Sequence, residues 1–193
     1  MNLWEDSDTS LSETKGLDQL SNNVVDVMKA IARNKGIRHL LSLDSDDPFN
    51  PGEEAVIPSA SDILSHSFAG RKILPVSFDT KATTDAKTEI RVYYNVGRID
   101  GSGKKIDANM HIDIICAKSL WQIQDKNGSR SLIRPYEIMS RIADEIGADN
   151  RNGINLGRIS QFQMLSVNEQ FDSIRMYYNI YDISGNMNTL KGV

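Results

Sequence analysis

The sequence predicts an α+β domain: a mainly antiparallel β-sheet flanked by helices, with long loops. Three observations carry this. Apolar residues recur at spacings of three and four in residues 17–34 and again in Arg134–Gly147, which is the helical period. Between and after these stretches, residues 89–96, 109–117 and 171–183 alternate apolar and polar side chains with the period of a half-buried strand. Turn signals rather than βαβ spacings separate the strands, so hairpins are expected.

Composition narrows the class. A chain of 193 residues suffices for one domain, which should bury roughly 70% of its unfolded surface. The single cysteine, Cys116, forms no intrachain disulfide and sits in an alternating apolar run, so a buried inert thiol is expected, and cysteine usage fits a reducing cytoplasm. The first residues carry neither a basic nor an apolar signal region, and nowhere do eighteen apolar residues run together, so no membrane span is expected. Net charge is −4 and the pI about 5.4, which argues against a dedicated, sequence-specific nucleic-acid binder. Four of the 26 acidic residues, Glu5, Asp6, Asp8 and Glu13, precede the first basic residue, Lys15; the remaining 22 balance the 22 basic ones. The whole excess belongs to the leading segment.

In chain order, residues 1–16 read as a flexible acidic arm in which Trp4 is the one large apolar anchor. Residues 17–183 form the domain. Its first helix, residues 18–34, has the stripe Leu17, Leu20, Val24, Val27, Met28 and Ile31, and Gly36 is expected to end it as a left-handed C′ residue. Ile37, Leu40, Leu41 and Leu43 repeat the helical spacing for a further turn or two. Residues 44–62 hold three of the five prolines and six carboxylates with no Lys or Arg, an extended connection expected to be functional or pinned to a partner. An EF-hand is rejected there, because Phe49 and Ala55 stand where the glycine and the bidentate glutamate are required.

A short helix is expected near residues 61–68 and a strand over residues 72–78, at a sheet edge or at a bulge since Pro75 cannot donate to a ladder. In the next strand Ile90, Val92, Tyr94 and Val96 face one way and Arg91, Tyr93 and Asn95 the other. Its partner alternates Met110, Ile112, Ile114 and Cys116 with His111, Asp113 and Ile115. The glycine-rich stretch between them carries Arg98, Lys104 and Lys105; lacking a following helix or a phosphate-loop pattern, it reads as an exposed hairpin tip. After an extended piece with Trp121 and an Asn127-Gly128 turn, the Arg134–Gly147 helix buries Tyr136, Met139, Ile142, Ala143 and Ile146, with Ile138 at the margin. Strands at residues 156–165 and 171–183 follow. In the last, Ile174, Met176, Tyr178 and Ile180 oppose Arg175, Tyr177, Asn179 and Tyr181, and the latter face is expected either to meet another subunit or to pack within the chain. Residues 184–193 are a polar tail.

No catalytic, cofactor or metal set emerges. His39, His66 and His111 lie far apart in the chain with no metal-ligand spacing, and no nucleophile elbow is present. Glu89, Asp107 and Asp113 are the one carboxylate set from which a metal-dependent nuclease could be built, but Lys118 does not complete the carboxylate-x-lysine arrangement such sites use.

The element order, with the runs VVDVMKAIARNKGIRHLL, EIRVYYNV, MHIDIICA, LIRPYEIMSRIADEIG, GRISQFQML and FDSIRMYYNIYDI, resembles the tail-completion or tail-terminator proteins of long-tailed bacteriophages and their neck and head–tail joining relatives. The resemblance implies a non-catalytic virion protein without a cofactor, assembled in the host cytoplasm into a homo-oligomeric ring, commonly a hexamer. Such a ring ends the tail tube and meets the head connector and other neck proteins. Trp4, Arg98, Lys104, Lys105, Arg175, Tyr177 and Tyr181 are then the candidate interaction residues. Two readings from other classes stay open: the nuclease, and a monomeric adaptor binding through its N-terminal arm.

Overall fold

The computed structural model describes residues 15–65, 70–77, 87–99, 106–147 and 159–180. Among these residues four α-helices and seven strands follow one another as α1 (Lys15–Arg33), α2 (Lys35–Ser42), α3 (Ala60–Ile63), β1 (Ile73–Leu74), β2 (Thr88–Ile99), β3 (Ile106–Ala117), β4 (Gln122–Gln124), β5 (Ser131–Ile133), α4 (Arg134–Gly147), β6 (Ile159–Ser166) and β7 (Phe171–Ile180). A 3₁₀ turn, Lys118–Leu120, leads into β4. The main sheet has the order β1-β2-β3-β7-β6, antiparallel except for the two-residue β1, which runs parallel to β2; β4 and β5 form a separate hairpin. The α+β class expected from the sequence is the class observed. No described helix is long and apolar enough to cross a membrane.

The expected stripes make the core. Val27, Met28 and Ile31 of α1, Ile37, Leu40 and Leu41 of α2, and Ile138, Ile142 and Ile146 of α4 are buried with Ile90, Val92, Met110, Ile112, Ile114, Ile174, Met176 and Tyr178 of the sheet. All of these strand residues share one face by register. Two details of the α4 stripe differ from expectation: Ile138 is wholly buried, whereas Tyr136 is 40% exposed. Ile138 lies four and eight residues before Ile142 and Ile146 on the stripe packed against the sheet, whereas Tyr136, two positions earlier, falls on another side of the helix.

Gly36 does not terminate α1. Asn34 breaks the helix in an extended conformation and caps the next one, its side-chain oxygen accepting from the Ile37 N–H at 3.0 Å. Gly36 lies inside α2, where a Cβ would come 2.8 Å from Nε of the Arg141 side chain, so the arginine lies directly against it. Arg38 reaches back to the Ala32 and Arg33 carbonyls, both at 2.9 Å, and supplies the cap expected from glycine.

The connection after α2 is pinned within the chain. Arg134, wholly buried, donates to the carbonyls of Leu40 (2.7 Å), Leu43 (2.6 Å), Ser45 (2.6 Å) and Leu120 (2.7 Å). Asn50 donates to the Lys126 carbonyl and the Gln124 N–H to that of Asp46. Ser59 and Asp62 form a reciprocal capping box on α3, a device written in the sequence as Ser-x-x-Asp. Pro75 follows β1 directly, and β1 is an edge strand as expected, although its pairing is parallel. The Asn127-Gly128 turn closes the β4–β5 hairpin, with Gly128 at φ 66° and the Asp125 carboxylate accepting the N–H groups of Asn127, Ser129 and Arg130.

Candidate functional site

Alternation gives the main sheet a second face, opposite the helix-packed core and built from the odd-numbered residues of β3 and β7. The β3–β7 register sets Ile115 opposite Ser173, Asp113 opposite Arg175 and His111 opposite Tyr177. On the other side of β3, Glu89, Arg91 and Tyr93 stand opposite Ile115, Asp113 and His111. Three strands thus converge on one polar centre with an apolar end, where Ile115, Ala117 and Phe171 are buried together.

At the centre Arg175 holds Asp113 through two bonds, Nε to Oδ1 at 2.7 Å and Nη2 to Oδ2 at 2.8 Å. The Tyr93 hydroxyl donates to Asp113 Oδ2 at 2.8 Å and accepts from Arg175 Nη2 at 2.9 Å. Bidentate charge-assisted geometry makes this a strong, oriented pair. The carboxylate raises the already high pKa of Arg175, and burial followed by the neighbouring Asp113 raises that of Tyr93. Both keep their protons at any physiological pH.

His111 lies edge-on between two rings, 5.6 Å from that of Tyr93 and 4.7 Å from that of Tyr177. Burial, then the Arg175 charge, lowers its pKa below the ordinary 6.5, against the pull of Asp113. The neutral imidazole is therefore favoured. Its Nδ1 and the Ser173 hydroxyl are buried without a hydrogen-bond partner among the described residues. Beside this centre a cavity of about 330 Å³ opens between Ser77, Tyr93, Leu165, Val167, Ser173 and Arg175.

The carboxylates of the nuclease set are placed as follows. Glu89 is buried against Lys87 Nζ (2.8 Å) and Arg91 Nη2 (2.6 Å). Asp113 is held by Arg175, and Asp107 stands far along the hairpin opposite Arg98. No group of three His, Cys, Asp or Glu side chains close enough to hold a metal ion occurs among the described residues. Lys118 pairs with Asp172 at 3.6 Å. Cys116 is buried, and burial pushes its thiol up to about 11, so it carries no thiolate at neutral pH.

Of the sequence candidates, Arg175 and Tyr177 meet at this centre, with the Tyr177 hydroxyl donating to Gln163 at 2.9 Å. Arg98 is exposed on the outer part of the β2–β3 hairpin. Trp4, Lys104, Lys105 and Tyr181 lie outside the described residues, as do His66, the polar tail and nearly all of the acidic arm. The pairing of β2 with β3 corrects one assignment. Its register shifts between Tyr94 and Val96, leaving Asn95 as the extra residue of a bulge. Val96 then pairs with Asn109, so it leaves the expected core face for the open one and is 51% exposed; Arg98, opposite Asp107, shares that face. Tyr93, His111 and Asp113 are not among the sequence candidates for an interface. The signal that points to them is an Asp and an Arg at alternating positions of two pairing strands.

A family model described as YomW matches residues 34–180, from the cap of α2 to the end of β7. The chain belongs to the YomW family, whose name is of phage origin. Comparison with curated proteins gave no match.

Proposed function

We propose that this chain is a structural virion protein of the phage neck, assembling as a homo-oligomeric ring, of six subunits in the family it resembles, that ends the tail tube and joins it to the head connector. The observation that carries the reading is the β2–β3 hairpin. Residues 95–99 are exposed throughout, as are Asp107 and Asn109, while Ala108 opposite Gly97 is still buried in the core, so beyond that pair the two antiparallel strands extend as a short arm. An arm that buries little of its own surface is suited to a neighbour, and a contact repeated head to tail closes a ring. The phage origin of the family name supports the setting.

On this reading the arm, with Arg98 near its tip, engages an adjacent subunit or an axial partner of opposite charge, and the polar centre of the open face fixes the strands from which it springs. The test replaces residues 100–105 by a two-residue turn. Ring assembly on tail tubes should be lost while the monomer keeps its unfolding temperature, and phage carrying the variant should accumulate tails of uncontrolled length. Rings and tail lengths like those of the wild type would refute the proposal.

A further inference from the structure

The two edges of the main sheet are treated differently. The β1 edge is two residues long and followed by Pro75, both devices that stop strand addition. The β6 edge has neither protection. Its sequence ISQFQMLS contains no charged residue, residues 160–164 are all exposed, and Phe162 and Met164 are 55% and 41% exposed. Register with Met176 and Ile174 puts these two side chains on the helix side of the sheet, where their neighbours on β7 are covered and they are not.

We propose that β6 is a self-pairing edge, through which two copies of this chain join antiparallel about a two-fold axis at Gln163. The register follows from geometry. A two-fold axis normal to the sheet keeps every residue on its own face, so only residues of like parity can stand opposite each other. Centring on Gln163 sets Phe162 opposite Met164 of the second copy, twice, and uses residues 161–165, beyond the irregularity at Ser160. Aromatic and thioether side chains make favourable cross-strand neighbours. Charge selects the occupant. Near a two-fold axis a charged residue meets its own copy, and a strand without charges is the kind that tolerates this. The β1 edge is too short to receive β6 head to tail, which among the described strands leaves β6 as its own complement.

This contact stands apart from the ring reading, because a ring joins two different surfaces of each subunit whereas β6 uses one surface twice. Sedimentation equilibrium of the full chain should show a concentration-dependent dimer. Gln163→Lys and Gln163→Glu should each raise its dissociation constant by about tenfold or more, since like charges then face each other across the axis. An equimolar mixture of the two variants should recover the dimer. Gln163 is exposed but stands opposite Arg175 and accepts from the Tyr177 hydroxyl, so recovery of the dimer in the mixture is what separates repulsion across the axis from loss of that bond, and Gln163→Cys should cross-link to its own copy on oxidation while buried Cys116 does not react. A wild-type monomer, as expected if another protein's strand takes this edge, overturns the proposal. So does a larger species that neither charge affects, an outcome that would leave the ring reading standing.

Discussion

The two faces of the main sheet are built from alternate residues of the same strands, yet they satisfy charge in opposite ways. On the helix side, the wholly buried Arg134 is held by four backbone carbonyls. Burial lowers its pKa, yet a guanidinium remains charged. On the open side, Arg175 meets a carboxylate and Arg91 another. Carbonyl dipoles can cage a cation wherever chain ends converge, whereas a carboxylate partner must be supplied at a fixed cross-strand position. The first arrangement locks loops together; the second fixes strand register.

The sharpest way to break the contrast is Arg134→Met. It leaves the buried Leu40 carbonyl and the part-buried Leu43, Ser45 and Leu120 carbonyls without this donor, and a loss of about 3–5 kcal/mol is expected in denaturant unfolding. Ile142→Ala removes buried apolar volume on the same side and should cost about 2–4 kcal/mol, whereas Tyr136→Ala, at a 40% exposed position, should change stability by less than about 1 kcal/mol. Equal losses at the two positions would show that the α4 face is assigned wrongly. On the open face, Asp113→Asn leaves Arg175 without its charged partner, but Arg175 retains access to water, so a smaller loss of about 1–3 kcal/mol is expected from the same measurement.

The smallest effect concerns pH. His111 has a folded-state pKa below its unfolded value of 6.5, so the unfolded chain binds the extra proton first as pH falls. Its contribution to stability is complete above 6.5 and is lost as pH drops from there through the folded-state pKa. Thermal unfolding of His111→Phe between about pH 5 and 7 should therefore show a shallower decline than the wild type; parallel curves would mean that His111 does not titrate differently on folding.

Periodicity makes much of this fold legible. The bounds of α4, the β2–β3 pairing, the apolar face of β7 and the edge position beside Pro75 all follow from spacing and from proline chemistry. What escapes is what depends on distant partners. Gly36 reads as a helix end because nothing local reveals that Arg141 passes beside it, and Asn34 takes that role instead. Arg134 reads as the first residue of an amphipathic helix; its acceptors lie up to 94 positions away, and carbonyls carry no side-chain signature. The short β4–β5 pairing is visible only as its turn. At the candidate site, Arg175 and Tyr177 are identifiable as the second face of a strand, but the partners that hold them, Asp113 and Gln163, are set by a register that a single sequence does not state.

The bulge at Asn95 has one more consequence. It sets the phase of everything beyond it: inside, even-numbered β2 residues belong to the core; outside, they belong to the open face, which places Arg98 on the same side as Arg175 and Tyr177. A chain differing by one residue at this point would carry the same amino acids in its arm and display the opposite set of them.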